Sequence, residues 1–409
     1  MINKIKNEIP ASTRFQVDGK MPKYWPPKPS RFLKGFLKKF DDYYSKEHWD
    51  INDVEIMGVK EVFSKFGPKD SILITPNHSH EGDPHVLLEL SKEVQRQIYF
   101  MAAWQTFLGH GGIDGWFLQK MGCFSVDREG NDRKAIKEAI NLLTTQQMLV
   151  IFPEGEIHRL NGRLQPLLEG VAFMALNAQQ RLSKEGEGSV WILPTFIKYE
   201  MVGGVEDKAR EMLKECEDFV HGYKYPINVS LEERIYCFGK KLLSIKEKEL
   251  FGNDFEKKED LSDRIAQDID LILSKIEQEY FQKTFSDDVP VRVKNLRKKL
   301  LDLWTDEGQS EKVGQKAVEA LDQVQVALQL FSYPGDYVRE DPTLERMCET
   351  IEKFREDLFG SRKNIAKRNA HLIFSEPMNM KQWCGDSKKK AMAKITGNIE
   401  KAINNLRKK

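Results

Sequence analysis

Residues 72–85, ILITPNHSHEGDPH, pass from a strand signal to a helix signal with only a short turn between them. Ile72, Leu73, Ile74 and Thr75 are apolar or β-branched and read as a short buried strand, which Pro76 and Asn77 stop. Asp83 followed by Pro84 is a helix start, an Asp N-cap with Pro at the first helical position. Val86, Leu87, Leu88 and Leu90 carry that helix onward. A strand that turns so tightly into a helix belongs to an α/β sheet, and open sheets bind ligands at the ends of such strands.

The same turn holds His78, His80, Asp83 and His85 within eight residues, with Glu81 among them. Two chemistries can use this cluster. An imidazole that titrates near neutrality takes a proton from a hydroxyl, and a carboxylate five residues on can hold one ring nitrogen protonated, leaving the other free. His78 and Asp83 have that spacing. Alternatively, His78, His80, Asp83 and His85 resemble the His-x-His-x-Asp-His ligands of metallo-β-lactamase-type hydrolases, with Asp83 and His85 each displaced from that pattern. A polar turn with solvated histidines is the plain structural alternative.

Composition narrows the class. The 409 residues are 40% hydrophobic and 31% charged, a globular balance with chain enough for two or three domains. The longest apolar runs, such as VWILPTFI at 190–197, are too short to span a bilayer, and the first thirty residues hold no apolar core of signal-peptide length. Five scattered cysteines without a CxxC pair argue for a reducing cytosol and against a disulfide or zinc framework. Net charge is +1, yet residues 1–40 carry ten Lys/Arg against two acids. No nucleic-acid module accompanies this bias, so nucleic acid is not the expected partner.

The basic bias falls on an arm, residues 1–50. Residues 21–30, MPKYWPPKPS, are Pro-rich and irregular. After them Phe32, Leu33, Phe36, Leu37 and Phe40 share one face of a short helix whose other side carries Arg31, Lys34, Lys38 and Lys39. That pattern suits an interfacial membrane anchor, or a helix packed on the body of the protein.

From residue 52 to about 197 strand and helix patterns alternate, which predicts an α/β fold with a mixed, largely parallel sheet flanked by helices. Residues 227–239, INVSLEERIYCFG, have β character. Residues 261–279 read as a helix, and the rest as a mainly helical extension with a strand at 370–380 and a last helix at 390–406. The expected domains are 51–282, holding the site, and 283–409.

Four stretches in order carry a family resemblance. Asn77-His78 with Asp83 is similar to the first block of the glycerolipid acyltransferases of the lysophosphatidate acyltransferase type. Residues 122–128, GCFSVDR, resemble the second block, an apolar strand ending in arginine. Phe152-Pro153-Glu154-Gly155 is the third block, and Ile192-Leu193-Pro194 resembles the fourth. The resemblance runs over roughly residues 50–240, where FGK at 238–240 is similar to the family's closing strand.

The resemblance implies transfer of a fatty acyl group from acyl-CoA or acyl carrier protein to a hydroxyl of a lysophospholipid or other glycerolipid precursor. No cofactor or metal is needed, because the acceptor hydroxyl itself attacks. It implies His78 as general base, Asp83 as its orienter, Arg128 as phosphate contact, and Glu154 and Gly155 as part of the acceptor loop. This sequence departs directly after Gly155, where Thr-Arg is usual and Glu156-Ile157 stands instead. Arg159 or Arg163 of the same loop is then left to meet an acceptor's phosphate, and a lipid lacking a simple phosphate becomes an acceptor to consider. The expected place is the cytoplasm, peripheral to the inner membrane face through the basic helix. The alternatives left open are the metal-dependent hydrolase on His78, His80, Asp83 and His85, and a lipid-binding module without turnover.

Overall fold

The computed structural model describes residues 23–30, 48–128, 130, 132–185, 188–252, 256–306, 308 and 310–408. The arm before residue 23 and the amphipathic helix expected after Ser30, with the membrane role given to it, lie outside the described residues. The described residues form two compact units: those up to Glu200 joined by Lys367 onward, and those within Met201–Ala366.

The first unit opens with β1 (Ile51–Ile56), α1 (Val59–Phe63), β2 (Ser71–Pro76), α2 (Asp83–Glu93) and β3 (Ile98–Ala103). A 3-10 turn, Trp104–Gly112, leads to α3 (Ile113–Met121), β4 (Cys123–Val126), α4 (Arg133–Thr144), β5 (Met148–Val150), α5 (Gly170–Glu185) and β6 (Val190–Met201). The second unit is helical: α6 (Glu206–Phe219), α7 (Leu231–Phe251), α8 (Leu261–Phe281), α9 (Val289–Thr305), α10 (Glu311–Phe331), α11 (Tyr337–Glu340) and α12 (Leu344–Phe359). The chain then rejoins the first unit as β7 (Arg368–Phe374), β8 (Met378–Asn379) and α13 (Lys388–Arg407).

The strand order is β1-β7-β6-β2-β5-β3-β4, with β8 paired on β6. β2 runs parallel to both its neighbours, Ile74 lying opposite Val150 of β5 and Leu193 of β6. β3 is parallel to β4 and β5, β1 to β7, and β8 alone is antiparallel in the recorded registers. Every residue of β2 is buried, as a central strand covered on both faces requires. Its side chains alternate between two cores. Leu73 packs in one with Ala139 and Leu143 of α4, Ala175 of α5 and Ile399 of α13. Ile72 and Ile74 pack in the other with Val86, Leu87 and Leu90 of α2. Because β2, β3, β4 and β5 are mutually parallel through this ladder, their carboxyl ends share one edge of the sheet.

The helical unit has its own core, in which Ile265, Ile269, Ile272 and Ile276 of α8 meet Leu296 and Leu300 of α9 and Leu321 and Val324 of α10. Residues 227–239 are not β structure, as the sequence suggests; Leu231 begins the long helix α7. The reason is local: Ser230 accepts a hydrogen bond from the Glu233 amide at 3.1 Å, and Leu231, Ile235 and Phe238 bury one helical face. Residues 238–240 therefore lie inside a helix and form no closing strand. Among the described residues no helix is long and apolar enough to cross a membrane.

Candidate active site

The site is built where β2 ends. Asn77 prolongs the strand with its side chain: its Oδ1 accepts from the Ile197 amide at 2.7 Å and its Nδ2 donates to the Ile197 carbonyl at 3.2 Å. The β2 exit is thereby clamped to β6 before the chain turns. Asn161 repeats the device, donating to the Ile197 carbonyl at 2.7 Å and to Ser79 Oγ at 2.9 Å, while accepting from the Tyr199 amide at 3.1 Å.

His78 follows. Its Nδ1 lies 2.9 Å from Asp83 Oδ2, and its ring stacks on Phe152 with centroids 3.8 Å apart and planes 18° apart. The ring is 15% exposed and Asp83 is fully enclosed. An ionised carboxylate only accepts, so in a neutral imidazole this contact places the proton on Nδ1 and leaves the lone pair on Nε2. Asp83 does not cap α2, as its place before Pro84 suggests; the N-cap is Gly82, with no side-chain cap bond. Asp83 is turned backwards instead. Its Oδ2 also accepts from the Ser79 and His80 amides at 2.9 and 3.0 Å, and its Oδ1 from the Tyr199 hydroxyl at 2.6 Å. Folding 78–80 around one carboxylate satisfies amides that the buried turn would otherwise strand.

Glu154, four residues after the end of β5, sits beside this turn. Its Oε1 accepts from the His78 amide at 2.6 Å and its Oε2 from the Gln165 amide at 3.0 Å. Burial pushes its carboxyl up to about 8, against the pull of those two N–H donors, and the Asp83 charge adds to the push. Gly155 has φ +75°, and a Cβ there would lie 2.7 Å from Leu168 Cδ1. Arg128, just past β4, donates from one Nη1 to the Gly155 carbonyl at 3.0 Å and to Glu156 Oε2 at 2.7 Å. Arg159 is ion-paired with Glu81. His78, Asp83, Arg128, Glu154 and Gly155 thus converge through direct bonds, and Arg159 joins the same turn through Glu81.

The remaining histidines are placed otherwise. His80 is buried, and its Nδ1 accepts from the Gly82 amide at 2.9 Å. His80 and His85 both flank Trp49. Among the described residues no three His, Cys, Asp or Glu side chains converge as a metal-ligand set. His110 is exposed and pairs with Asp114 at 3.0 Å. Asn161 and Gln165 escape the sequence reading as site residues, for neither has a local signature. Tyr199, five residues past Pro194, follows the fourth block as a candidate for a solvated strand end or for the site lining, and it is buried with its hydroxyl on Asp83.

A histidine base with a buried orienting carboxylate, at the carboxyl edge of a parallel sheet and beside two arginines, is equipped to activate a hydroxyl near a polar ligand. Residues 57–198 match the family model described as Acyltransferase. Over 112 residues the chain is 35% identical to a 1-acyl-sn-glycerol-3-phosphate acyltransferase of Streptococcus pneumoniae, a match covering 27% of this chain and 39% of that protein. The chain therefore spans about two fifths of the length of the curated relative it matches.

Proposed function

We propose that this protein transfers a fatty acyl group from a thioester, acyl-CoA or acyl carrier protein, to a hydroxyl of a lysophospholipid or other glycerolipid precursor. His78 Nε2 takes the proton of the acceptor hydroxyl as its oxygen attacks the thioester carbonyl. The imidazolium so formed is stabilised by Asp83, and it returns the proton to the leaving thiolate as the tetrahedral intermediate collapses. A new ester and a free thiol result, with no net proton change. Glu154 is a positioning residue, tying the His78 peptide to the loop at Gln165. The partners this chemistry needs are an acyl donor and a lipid alcohol.

The observation that carries the reading is the 2.9 Å contact between His78 Nδ1 and an Asp83 carboxylate that is itself fully buried. The match of the same segment to the Acyltransferase family model supports it, and the similarity to a 1-acyl-sn-glycerol-3-phosphate acyltransferase supports a glycerolipid as the class of acceptor. The test is acyl transfer from labelled palmitoyl-CoA and palmitoyl-acyl carrier protein to a panel of lysophospholipids and monoacylglycerol, by wild type and His78→Ala in parallel, with folding checked by circular dichroism. Transfer by wild type that falls by about two to four orders of magnitude in the variant is expected. Equal rates would reject His78 as the base, and no transfer to any acceptor would favour a lipid-binding module without turnover.

A further inference from the structure

Two ion pairs border the base. Arg128 holds the Gly155 carbonyl and the Glu156 carboxylate, one and two residues along from Glu154, which binds the His78 amide. Arg159 is paired with Glu81, three residues past His78 in the same turn. Neither pair is a fully solvated surface contact: the Arg128 and Glu156 side chains are 35% and 29% exposed, and those of Arg159 and Glu81 23% and 26%. Guanidinium forks are the natural ligands of phosphate, and here one arm of each, Arg128 Nη1 and Arg159 Nη2, is already engaged by a carboxylate of the chain. A phosphate monoester arriving at either arginine would have to displace that carboxylate or lie against it, like charge on like charge.

We infer that the site is built for a lipid alcohol without a phosphate monoester, a monoacylglycerol-type acceptor, and that Glu156 and Glu81 set this choice by occupying Arg128 and Arg159. The inference rests on the acyl-transfer reading above and deepens it. An uncharged acceptor leaves both pairs intact, and its hydroxyl still reaches the histidine. Glu156 is thus a specificity residue acting through Arg128.

The experiment compares kcat/KM for monooleoylglycerol and oleoyl-lysophosphatidate, with one acyl-CoA donor, in wild type, Glu156→Gln, Glu156→Asp and the Glu81→Gln/Glu156→Gln double variant. Wild type should favour monooleoylglycerol. Glu156→Gln should move the ratio about tenfold or more towards lysophosphatidate, chiefly through KM, and the double variant should move it further. Glu156→Asp, which keeps a carboxylate, should stay close to wild type, an outcome that general loosening of the loop would not give. A wild type that favours lysophosphatidate, or a ratio indifferent to Glu156→Gln, overturns this inference and leaves acyl transfer standing. Transfer to neither acceptor overturns this inference, and the acyl-transfer reading falls with it only if the wider acceptor panel is also inert.

Discussion

The Tyr199 hydroxyl donates to Asp83 Oδ1 at 2.6 Å across a sequence separation of 116 residues. It comes from β6, so the same strand that pairs with β2 also supplies a hydrogen bond to the carboxylate that His78 Nδ1 meets. With the two amides on Oδ2, it fixes the Asp83 plane on which the His78 tautomer depends. Tyr199→Phe removes that donor without creating a large void. A loss of about 1–3 kcal/mol in transition-state stabilisation is expected, read as a fall of roughly tenfold or more in kcat with KM little changed. Unaltered kcat would show that the backbone amides alone hold Asp83.

Glu154 bridges two segments that sequence separates by eleven residues on one side and seventy-six on the other. Glu154→Ala frees the His78 and Gln165 amides together. A displacement of the base on the ångström scale costs about a hundredfold in rate, so kcat should fall by that order in a protein that still folds. Hydrogen exchange at the His78 and Gln165 amides should rise in parallel. Protection left unchanged would mean that other groups hold the loop.

Gly155 adopts φ +75°, where a side chain is strained whatever the space around it. Gly155→Ala should cost about 1–2 kcal/mol in stability, measured by urea unfolding. It should also weaken the acceptor loop, because the Gly155 carbonyl is what Arg128 holds. A variant as stable and as active as wild type would show that the loop relaxes into another backbone conformation.

Asp268, in the helical unit, is buried, and neither oxygen has a hydrogen-bond partner among the described residues. Burial, reinforced by the neighbouring Glu247 charge, raises its carboxyl from 3.8 to about 7. The folded protein therefore keeps a proton that the unfolded chain gives up near pH 4. Between those values the unfolded chain binds fewer protons, so this group's contribution to stability falls as pH rises and levels off above about 7. Asp268→Asn removes the titration. Its melting temperature relative to wild type should climb across that window and then stay flat; a difference independent of pH would exclude ionisation as the cause.

The strands of the sheet and the helices around them were readable because burial on both faces writes continuous apolar runs and α-helices write their period. The site was partly readable for the same local reason: His78 and Asp83 lie five residues apart on one turn. Residues 227–239 misled because their aromatic and β-branched composition resembles a strand, while the Ser230 cap and the buried face of α7 decided for helix. Asp83 misled in a different way. Asp-Pro is a sound N-cap signal, yet the amides of Ser79 and His80 captured the side chain first.

The amino-acid sequence by itself determined the α/β alternation, the strand-to-helix turn that presents His78, and the five-residue spacing that brings His78 and Asp83 together. Those features depend on neighbours within a turn or two of the chain. Only the tertiary structure decided that β7, from the far end of the chain, lies between β1 and β6, because strand pairing leaves no trace in local periodicity. It alone brought Tyr199 and Asn161 to the turn and set Glu156 on Arg128. A hydrogen bond or ion pair between distant segments is specified by the packing that brings them together, and that packing is a property of the whole fold.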